Sequence, residues 1–318
     1  MSVRPVSLAA FATLYTAAAV NRLCFAASTN GSGQAVQRWQ IGDVGITRVI
    51  ETEDTSMGPA AMLPEARPEN VLPIGWLRPH FIDEKGNLIS SIYSLLVLSQ
   101  GKRIVIDTCL GNDKPRIVPM WNKRQGAFLS NIAEAGFPRE SVDFVVCTHL
   151  HPDHVGWNTM LVDDRWLPTF PNARYIFSAR DWEWLDKAPV TPLGDYAGDS
   201  VRPVVEAGLA ELVTPDFRFT DEVWLESTPG HSPGHVSVRI ASQGHHAVVT
   251  GDLMHHPCQL ARPHWCSPFD FNRDQALDTR RSFIHRYSDV AVLVIGTHFA
   301  TPSAGHIVRD GEAWLLRV

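Results

Sequence analysis

Three histidines and one aspartate lie within residues 149–154 of this chain, in the order His-Leu-His-Pro-Asp-His. Imidazole and carboxylate groups are common ligands of divalent metals in proteins. If buried, each of them would need a polar partner, so packing alone does not explain this density. Residues 142–147, directly before them, are mostly apolar and predict a buried strand. The pattern therefore predicts a metal site in a loop that a rigid strand holds in place.

The composition is that of a globular protein with a sizeable core. Of the 318 residues, 44% are hydrophobic and 19% are charged, which argues against global disorder. The formal net charge is −6, and no run of Lys or Arg forms a basic stripe. Since binding to nucleic acid depends on such a stripe, we expect no nucleic-acid partner. A homodimer is left open.

The first 36 residues differ from the rest of the chain. Arg4 precedes an apolar, alanine-rich stretch over residues 8–20, and small residues and a polar linker follow. This order is typical of an export signal, so we predict a signal peptide and flexible extension over residues 1–36 and one folded domain over residues 37–318. A periplasmic location follows from it, and a loose extension of a cytoplasmic protein is the alternative. The apolar stretch is too short for a stable membrane span.

Hydrophobic patterns predict strands in both halves of the chain, with helices between them. The predicted strands cover residues 39–41, 45–50, 88–98, 103–107, 142–147, 174–178, 223–227, 236–240, 246–250, 290–295, 307–309 and 313–318. The predicted helices cover residues 126–135, 180–185, 200–212 and 272–287, and Ser200 is the predicted cap of the third. Two sheets packed face to face and covered outside by helices account for this order.

Further candidate ligands follow other predicted strands. They are Asp107, His231, Asp252 and His298. Because strands deliver their following loops to one edge of a sheet, we expect these side chains to converge with residues 149–154. His235, four residues after His231, is predicted to orient a ligand or a loop.

The motif His149-x-His151-x-Asp153-His154, followed in order by His231, Asp252 and His298, resembles the ligand set of the metallo-β-lactamase fold superfamily. The resemblance extends from about Trp39 to His306 and implies an α+β fold, a four-layered αββα sandwich with two metals at one edge of its sheets. It implies one metal on His149, His151 and His231, a second on Asp153, His154 and His298, and a bridge of Asp252 and a hydroxide between them. Zn²⁺ is favoured, with Mn²⁺, Co²⁺ or Fe²⁺ as alternatives.

Asp252 narrows the reaction that the resemblance implies. True β-lactamases of the superfamily generally lack a bridging carboxylate at this place, whereas lactonases, thioesterases of the glyoxalase II type and phosphotriesterases have one. The segments around Asp252 and His298 resemble the methyl parathion hydrolase and acyl-homoserine lactonase branch. We therefore expect a metal-bridging hydroxide to hydrolyse a lactone or ester of a hydrophobic small molecule. Phosphotriester and thioester hydrolysis are alternatives, and β-lactam hydrolysis and di-iron redox chemistry are less favoured.

Asp153, Asp252 and His255 are the predicted catalytic residues. Either aspartate is expected to assist proton transfer to the leaving group. His255 stands where acyl-homoserine lactonases commonly have a Tyr that binds the substrate carbonyl, and it is expected to donate a hydrogen bond to the developing oxyanion. A structural histidine is an equal alternative at this position.

Three aromatic residues predict an apolar substrate pocket. Trp157 follows the metal motif directly, Trp184 lies in the next predicted helix, and Phe81 lies at the end of a long loop. A bulky apolar pocket suits an acyl chain, an aryl group or a hydrophobic lactone. Ordinary core packing is the alternative for each of the three.

Overall fold

The computed structural model describes residues 28–29, 35–55, 62–187 and 193–318 of the chain. The apolar stretch of the predicted export signal lies outside these residues, and the signal stays a prediction. Residue 28 pairs with residue 36 in the first sheet, so this sheet extends into the segment predicted as flexible. In the described part of the chain, no helix is both long and apolar enough to cross a membrane.

The first sheet contains eight strands in the described ranges. In spatial order they are β1 (Ser28–Thr29), β2 (Ala35–Ile41), β3 (Val44–Asp54), β4 (Ser90–Ser99), β5 (Lys102–Ile106), β6 (Phe144–Val146), β9 (Arg174–Ser178) and β10 (Ala210–Val213). Strands β2 to β5 are antiparallel neighbours, whereas β5, β6, β9 and β10 run parallel. A separate hairpin of β7 (Thr159–Val162) and β8 (Arg165–Pro168) follows the histidine segment.

In the described part of the chain, the second sheet has six strands, which follow one another in the order of the sequence. They are β11 (Val223–Ser227), β12 (Val236–Ser242), β13 (His245–Val249), β14 (Val292–Ile295), β15 (Ala304–Asp310) and β16 (Ala313–Arg317). Strands β13 and β14 are parallel, and the other neighbours are antiparallel. As a result, β11, β13 and β14 all end at the same edge of the sheet.

Helices connect the strands and cover both sheets. They are α1 (Pro68–Val71), α2 (Phe128–Glu134), α3 (Pro152–Val155), α4 (Ala179–Lys187), α5 (Tyr196–Ser200), α6 (Arg202–Glu206), α7 (Cys258–Ala261) and α8 (Arg273–Tyr287). Short 3₁₀ turns occur at Gly75–Leu77, Pro119–Trp121, Arg139–Ser141, Gly156–Asn158 and Gly251–Leu253.

Among the described residues, three hydrophobic cores hold the layers together. One lies between the two sheets, one lies between the first sheet and helices α2, α4, α5 and α6, and one lies between the second sheet, helices α7 and α8 and the loop before β4. Strand β14 belongs to two of them, because successive side chains of a strand point to opposite faces. Leu293 and Ile295 pack between the sheets, and Val292 and Val294 pack beneath α8. This arrangement confirms the predicted αββα sandwich.

The structure differs from the sequence prediction over residues 200–212. One helix was expected there, but α5 and α6 are separate short helices and residues 210–213 form β10, beside β9. Ser200 caps neither helix: the cap of α5 is Asp195, whose side chain accepts a hydrogen bond from Gly198 N at 2.9 Å, and α6 follows Val201, which makes no side-chain cap bond. Pairing with β9 outweighs the helical pattern in this segment, since tertiary contacts routinely override local propensity.

Candidate metal centre

The four clustered candidate ligands lie at the carboxyl end of β6. Pro152 is at the first position of α3, where its fixed φ suits the start of a helix. The single turn of α3 carries Asp153 and His154, while His149 and His151 lie on the loop before it. His149 and His154 are buried, with 1% and 0% of their surface exposed. A strand end followed by one helical turn therefore brings four donor side chains to one place.

Asp107 was a candidate ligand from its place after a strand, but it belongs to none of the donor groups among the described residues, which leaves seven candidates. It instead holds the histidine segment in position from the end of β5. Its carboxylate accepts hydrogen bonds from the backbone N and Oγ1 of Thr148, at 2.7 and 2.9 Å. It also accepts one from Nδ1 of His154 at 2.9 Å. Because Nδ1 of His154 is used in this way, Nε2 is the nitrogen left to bind a metal.

The structure brings the candidate donors together in four overlapping groups among the described residues. Two of them contain Asp252, one with His149 and His154 and one with His231 and His255, and two do not. The donor atoms of His149, His151 and His231 lie within 4.8 Å of one another, and so do those of Asp153, His154 and His298. His231 Nε2 is 3.0 Å from His151 Nδ1, and His298 Nε2 is 3.4 Å from Asp153 Oδ2. These two groups, the ones without Asp252, have the same members as the two metal sites that the sequence resemblance implies.

Asp252 lies between the two groups. Its Oδ2 atom is 3.2 Å from His298 Nε2, 3.4 Å from His154 Nε2, 3.6 Å from His231 Nε2 and 3.9 Å from His149 Nε2. Burial opposes its ionised form, but the surrounding histidines, His298 first, hold the pKa of this carboxyl well below its ordinary value. Asp252 is therefore a carboxylate that faces both groups at once.

His235 supports Asp252 from behind. Its Nε2 accepts a hydrogen bond from the backbone N of Asp252 at 2.8 Å, and its Nδ1 donates to the carbonyl of Thr228 at 2.9 Å. The structure thus places His235 in contact with the loops that carry two candidate ligands, outside the ligand groups themselves. Sequence spacing predicted this kind of contact.

The residues present fit a pair of divalent metals. Four donor side chains at the centre have buried atoms with no hydrogen-bond partner among the described residues: His149 Nε2, His154 Nε2, Asp252 Oδ1 and both ring nitrogens of His255. Unpaired buried polar atoms are costly, and several that converge on one point call for a ligand. Burial, followed by neighbouring imidazoles, holds the pKa values of His149 and His151 well below the ordinary value. Both are therefore neutral, which is the form that binds metal.

Two further candidate ligands are oriented by groups that the sequence did not reveal. His298 donates from Nδ1 to the carbonyl of Ser91 at 2.9 Å, and His231 donates from Nδ1 to Asp270 Oδ1 at 2.9 Å. Both contacts join residues far apart in the chain, and no spacing pattern marks Ser91 or Asp270.

A cavity opens above this centre. Its floor is polar and consists of His151, Asp153, His231, Asp252, His255 and His298. Its wall is mainly apolar and consists of Met62, Ser90, Ile92, Val118, Met120, Trp121, Leu193 and Phe269. A small molecule that enters the cavity would meet the candidate metal ligands at one end and an apolar surface along its sides.

His255 belongs to the floor. It is buried, and its Nε2 lies 3.5 Å from Asp252 Oδ2. Its backbone N donates to Gln259 Oε1 at 2.7 Å, which fixes the turn that carries it. Burial lowers the pKa of His255 to about 3, so the ring is neutral and keeps one N–H.

The three aromatic residues predicted for the pocket lie elsewhere in the described structure. Trp157 is buried against Phe128, with ring centroids 5.7 Å apart, and its Nε1 donates to Glu51 at 2.7 Å. Phe81 is fully buried in the core beneath the second sheet. Trp184 packs edge-on against Phe271.

None of these three side chains lines the cavity among the described residues. The reason for Trp157 is local. Its backbone N bonds to Thr108 O, and the 3₁₀ turn Gly156–Asn158 carries the ring toward the helical layer. The aromatic part of the wall comes from Trp121 and Phe269, which lie in segments that connect longer helices and strands.

No curated protein sequence matches this chain. Solved structures share its fold. The hydrolase AbOPH, of the beta lactamase superfamily, has a TM-score of 0.72 and 24% identity, covering 92% of this chain and 98% of its own. AidC, a dizinc quorum-quenching lactonase, has a TM-score of 0.69 and 17% identity, covering 89% and 97%. A probable metal-dependent hydrolase from Staphylococcus aureus has a TM-score of 0.65 and 21% identity, covering 87% and 98%.

A family model gives the classification. The model described as the Metallo-beta-lactamase superfamily matches residues 89–298, more than half of the chain. The matched span runs from β4 to His298 and contains all seven candidate ligands. The chain belongs to the metallo-beta-lactamase superfamily.

Proposed function

We propose that this protein is a two-metal hydrolase that opens a lactone or ester bond in a hydrophobic small molecule. The observation that carries the proposal is the position of Asp252, whose Oδ2 faces histidines of both ligand groups at the floor of an apolar-walled cavity. A bridging carboxylate is the feature that separates this reaction class from β-lactam hydrolysis in the sequence resemblance.

The two ligand groups would hold the metals. His149, His151 and His231 would bind one ion, Asp153, His154 and His298 the other, and Asp252 both. Bound divalent metals supply Lewis acidity and make water a stronger nucleophile at neutral pH. Zn²⁺ is the first candidate for this donor set, with Mn²⁺, Co²⁺ and Fe²⁺ as alternatives.

Asp153 is the carboxylate best placed to move a proton. Its side chain is 13% exposed, compared with 5% for Asp252, and it lines the cavity. A substrate in the cavity would therefore reach Asp153 without displacing other side chains. We assign to Asp153 the transfer of a proton to the leaving oxygen, and to Asp252 a fixed bridging role.

His255 would bind the oxygen on which negative charge develops. Its ring lies at the floor and has no hydrogen-bond partner among the described residues. As a neutral imidazole it can offer one N–H to a carbonyl oxygen. A donor that is fixed before the substrate arrives stabilises the transition state without reorganisation.

The wall supports an apolar substrate. Ile92, Met120 and Trp121 present carbon surface to the cavity, and few polar groups interrupt it. Such a surface would bury an acyl chain or an aryl group. AidC, which shares this fold, is a lactonase whose structure contains the product N-hexanoyl-L-homoserine, and this supports testing lactones first.

The proposal is tested by a hydrolysis panel on metal-reconstituted protein. The panel contains acyl lactones, aryl esters, a phosphotriester and a glutathione thioester, each with short and long apolar groups. We expect two metals per chain, highest kcat/KM for a lactone or ester, and loss of activity after chelation that added metal restores. Full activity in metal-free protein would refute the metal requirement. A higher kcat/KM for the phosphotriester or the thioester than for any lactone or ester would refute the proposed substrate class.

A further inference from the structure

Asp270 and Arg280 form a buried pair behind the ligand loops of the second sheet. Neither side chain is exposed, and Arg280 Nη2 lies 3.7 Å from Asp270 Oδ2. The same Oδ2 accepts a hydrogen bond from the backbone N of Ser267 at 3.0 Å. The other carboxylate oxygen, Oδ1, accepts the Nδ1 hydrogen of His231 at 2.9 Å. The carboxylate of this buried ion pair is thus hydrogen-bonded directly to a candidate metal ligand, His231.

Arg280 also reaches the loop of a second candidate ligand. Its Nε donates to the carbonyl of Leu253, the residue after Asp252, at 2.8 Å. Its Nη1 donates to the carbonyls of Pro263 and Trp265, at 2.8 and 3.0 Å. One fully buried side chain on α8 therefore ties the Asp252 loop to the carboxylate that contacts His231.

Backbone contacts fix the segment that carries Asp270 against the His231 loop. Phe271 N donates to His231 O at 3.0 Å, and Asn272 N donates to Gly230 O at 2.9 Å. Gly230 has φ of 136°, and a Cβ there would lie 2.4 Å from Ala276 N. Only glycine allows α8 to lie this close to the loop. The distance between Asp270 and His231 is therefore set by rigid elements.

We infer that Asp270, supported by Arg280, is a positioning residue of the metal centre. By accepting the Nδ1 hydrogen it fixes the tautomer and ring direction of His231 and leaves the Nε2 lone pair for the metal. His231 Nε2 faces His151 Nδ1 and Asp252 Oδ2, at 3.0 and 3.6 Å. The inference rests on the proposed function only in taking His231 as a metal ligand.

Charge balance explains why Arg280 lies beside the carboxylate of Asp270. A negative group beside an imidazole makes the ring a better metal ligand, but a lone buried carboxylate is costly. Arg280 compensates the charge of Asp270 without contacting His231, since its hydrogen bonds go to backbone carbonyls and to Cys266 Sγ. The pair can therefore stay ionised beside the metal centre.

A second buried pair in the same molecule provides a matched control. Arg116 and Asp199 are also buried, and Arg116 Nη2 donates to Asp199 Oδ1 at 3.0 Å. This pair contacts Ser200 and Lys114 and touches none of the seven candidate ligands among the described residues. Removing the charge of Asp199 should lower the stability of the fold without changing the metal centre.

The test is a titration of metal-free full-length protein with Zn²⁺ against a chromophoric chelator, for wild type, Asp270→Asn, Asp270→Ala and Asp199→Asn. We expect Asp270→Ala to weaken one of the two Zn²⁺ sites by about 10- to 100-fold and Asp270→Asn to weaken it less, because an amide oxygen can still accept from Nδ1. Asp199→Asn should keep both affinities. The visible absorption of Co²⁺-loaded protein should change in Asp270→Ala and stay unchanged in Asp199→Asn.

Urea unfolding separates positioning from general destabilisation. If both Asp270 variants keep wild-type affinities and Co²⁺ spectra while losing stability as Asp199→Asn does, Asp270 is only structural and the inference is wrong. If Asp270→Ala fails to fold, Asp270→Asn decides the question by the same readouts. A wild type that binds two metals but hydrolyses nothing in the substrate panel would refute the proposed function alone, whereas a wild type that binds none would refute both.

Discussion

The floor and the wall of the cavity are built in different ways. Floor side chains come from strand ends, and partners elsewhere in the chain orient several of them, such as Ser91 for His298 and Asp270 for His231. Wall side chains come mainly from connecting segments and meet the cavity through carbon atoms. The 3₁₀ turn Pro119–Trp121 is an example, since it supplies two of them.

This difference separates two properties of the protein. Hydrogen bonds fix direction, so the floor sets which metals bind and where a substrate bond would react. Apolar contact is not directional, so the wall sets which substrates fit and can change without moving the floor. Floor variants should therefore alter metal binding and slow all substrates together, whereas wall variants should alter selectivity only.

The largest effect is expected from Asp252→Ala on the floor. The variant loses a carboxylate that faces both ligand groups, so we expect fewer than two metals per chain. Activity should fall by about 1000-fold or more for every substrate, since metal Lewis acidity contributes several kcal/mol to transition-state stabilisation. Metal analysis and kcat/KM measure both effects.

The control for Asp252→Ala is Asp278→Ala, a change at an exposed position of α8. It should keep both metals and full activity. Two metals at full occupancy in Asp252→Ala would show that this carboxylate does not bridge them.

Asp107→Asn should have the next largest effect. Asp107 holds Thr148 and His154, and the amide cannot accept from all three donors in the same geometry. We expect metal affinity to fall by about 10- to 100-fold, with the site of His154 affected more than that of His231. Stepwise Zn²⁺ titration measures this difference, and an equal loss at both sites would contradict it.

Met120→Ala tests the wall. Met120 lines the cavity and is 41% exposed, so its truncation should cost little stability. For a substrate with a long apolar group we expect KM to rise about tenfold, with little change for a short one and no change in metal content. Leu98→Ala is the matched control, because Leu98 is 44% exposed and lies on β4 outside the cavity lining. A drop in metal content in Met120→Ala would contradict the claim that wall residues affect substrate selectivity without affecting metal binding.

Sequence patterns predicted the floor better than the wall for physical reasons. Residues 149–154 follow a strand with a clear hydrophobic pattern, and His231, Asp252 and His298 each follow another. Parallel strand ends meet at one edge of a sheet, so the place of these residues after strands predicts that they lie close together. Asp270 and Met120 have no such regular element behind them. Their positions depend on how loops cross between layers, which local periodicity does not encode.

Trp157, which follows the histidine segment, is a second case in which the sequence does not predict where a side chain lies. Its position in sequence predicted a place in the pocket, but Trp157 stacks on Phe128 in the helical layer. What sequence position cannot supply is the direction of the turn after α3, which the contacts of Thr108 with residues 154 and 157 determine.

The smallest effect on activity is therefore expected from Trp157→Phe. The variant keeps an aromatic ring to stack on Phe128 but loses the hydrogen bond to Glu51, which retains the backbone N–H groups of Leu110 and Gly111. Loss of one buried hydrogen bond should lower the free energy of unfolding by about 1–2 kcal/mol. Urea unfolding measures this change, and the ratio of kcat/KM for long and short substrates should equal that of the wild type. A changed ratio would mean that Trp157 contacts substrate after all, and that the wall extends to the helical layer.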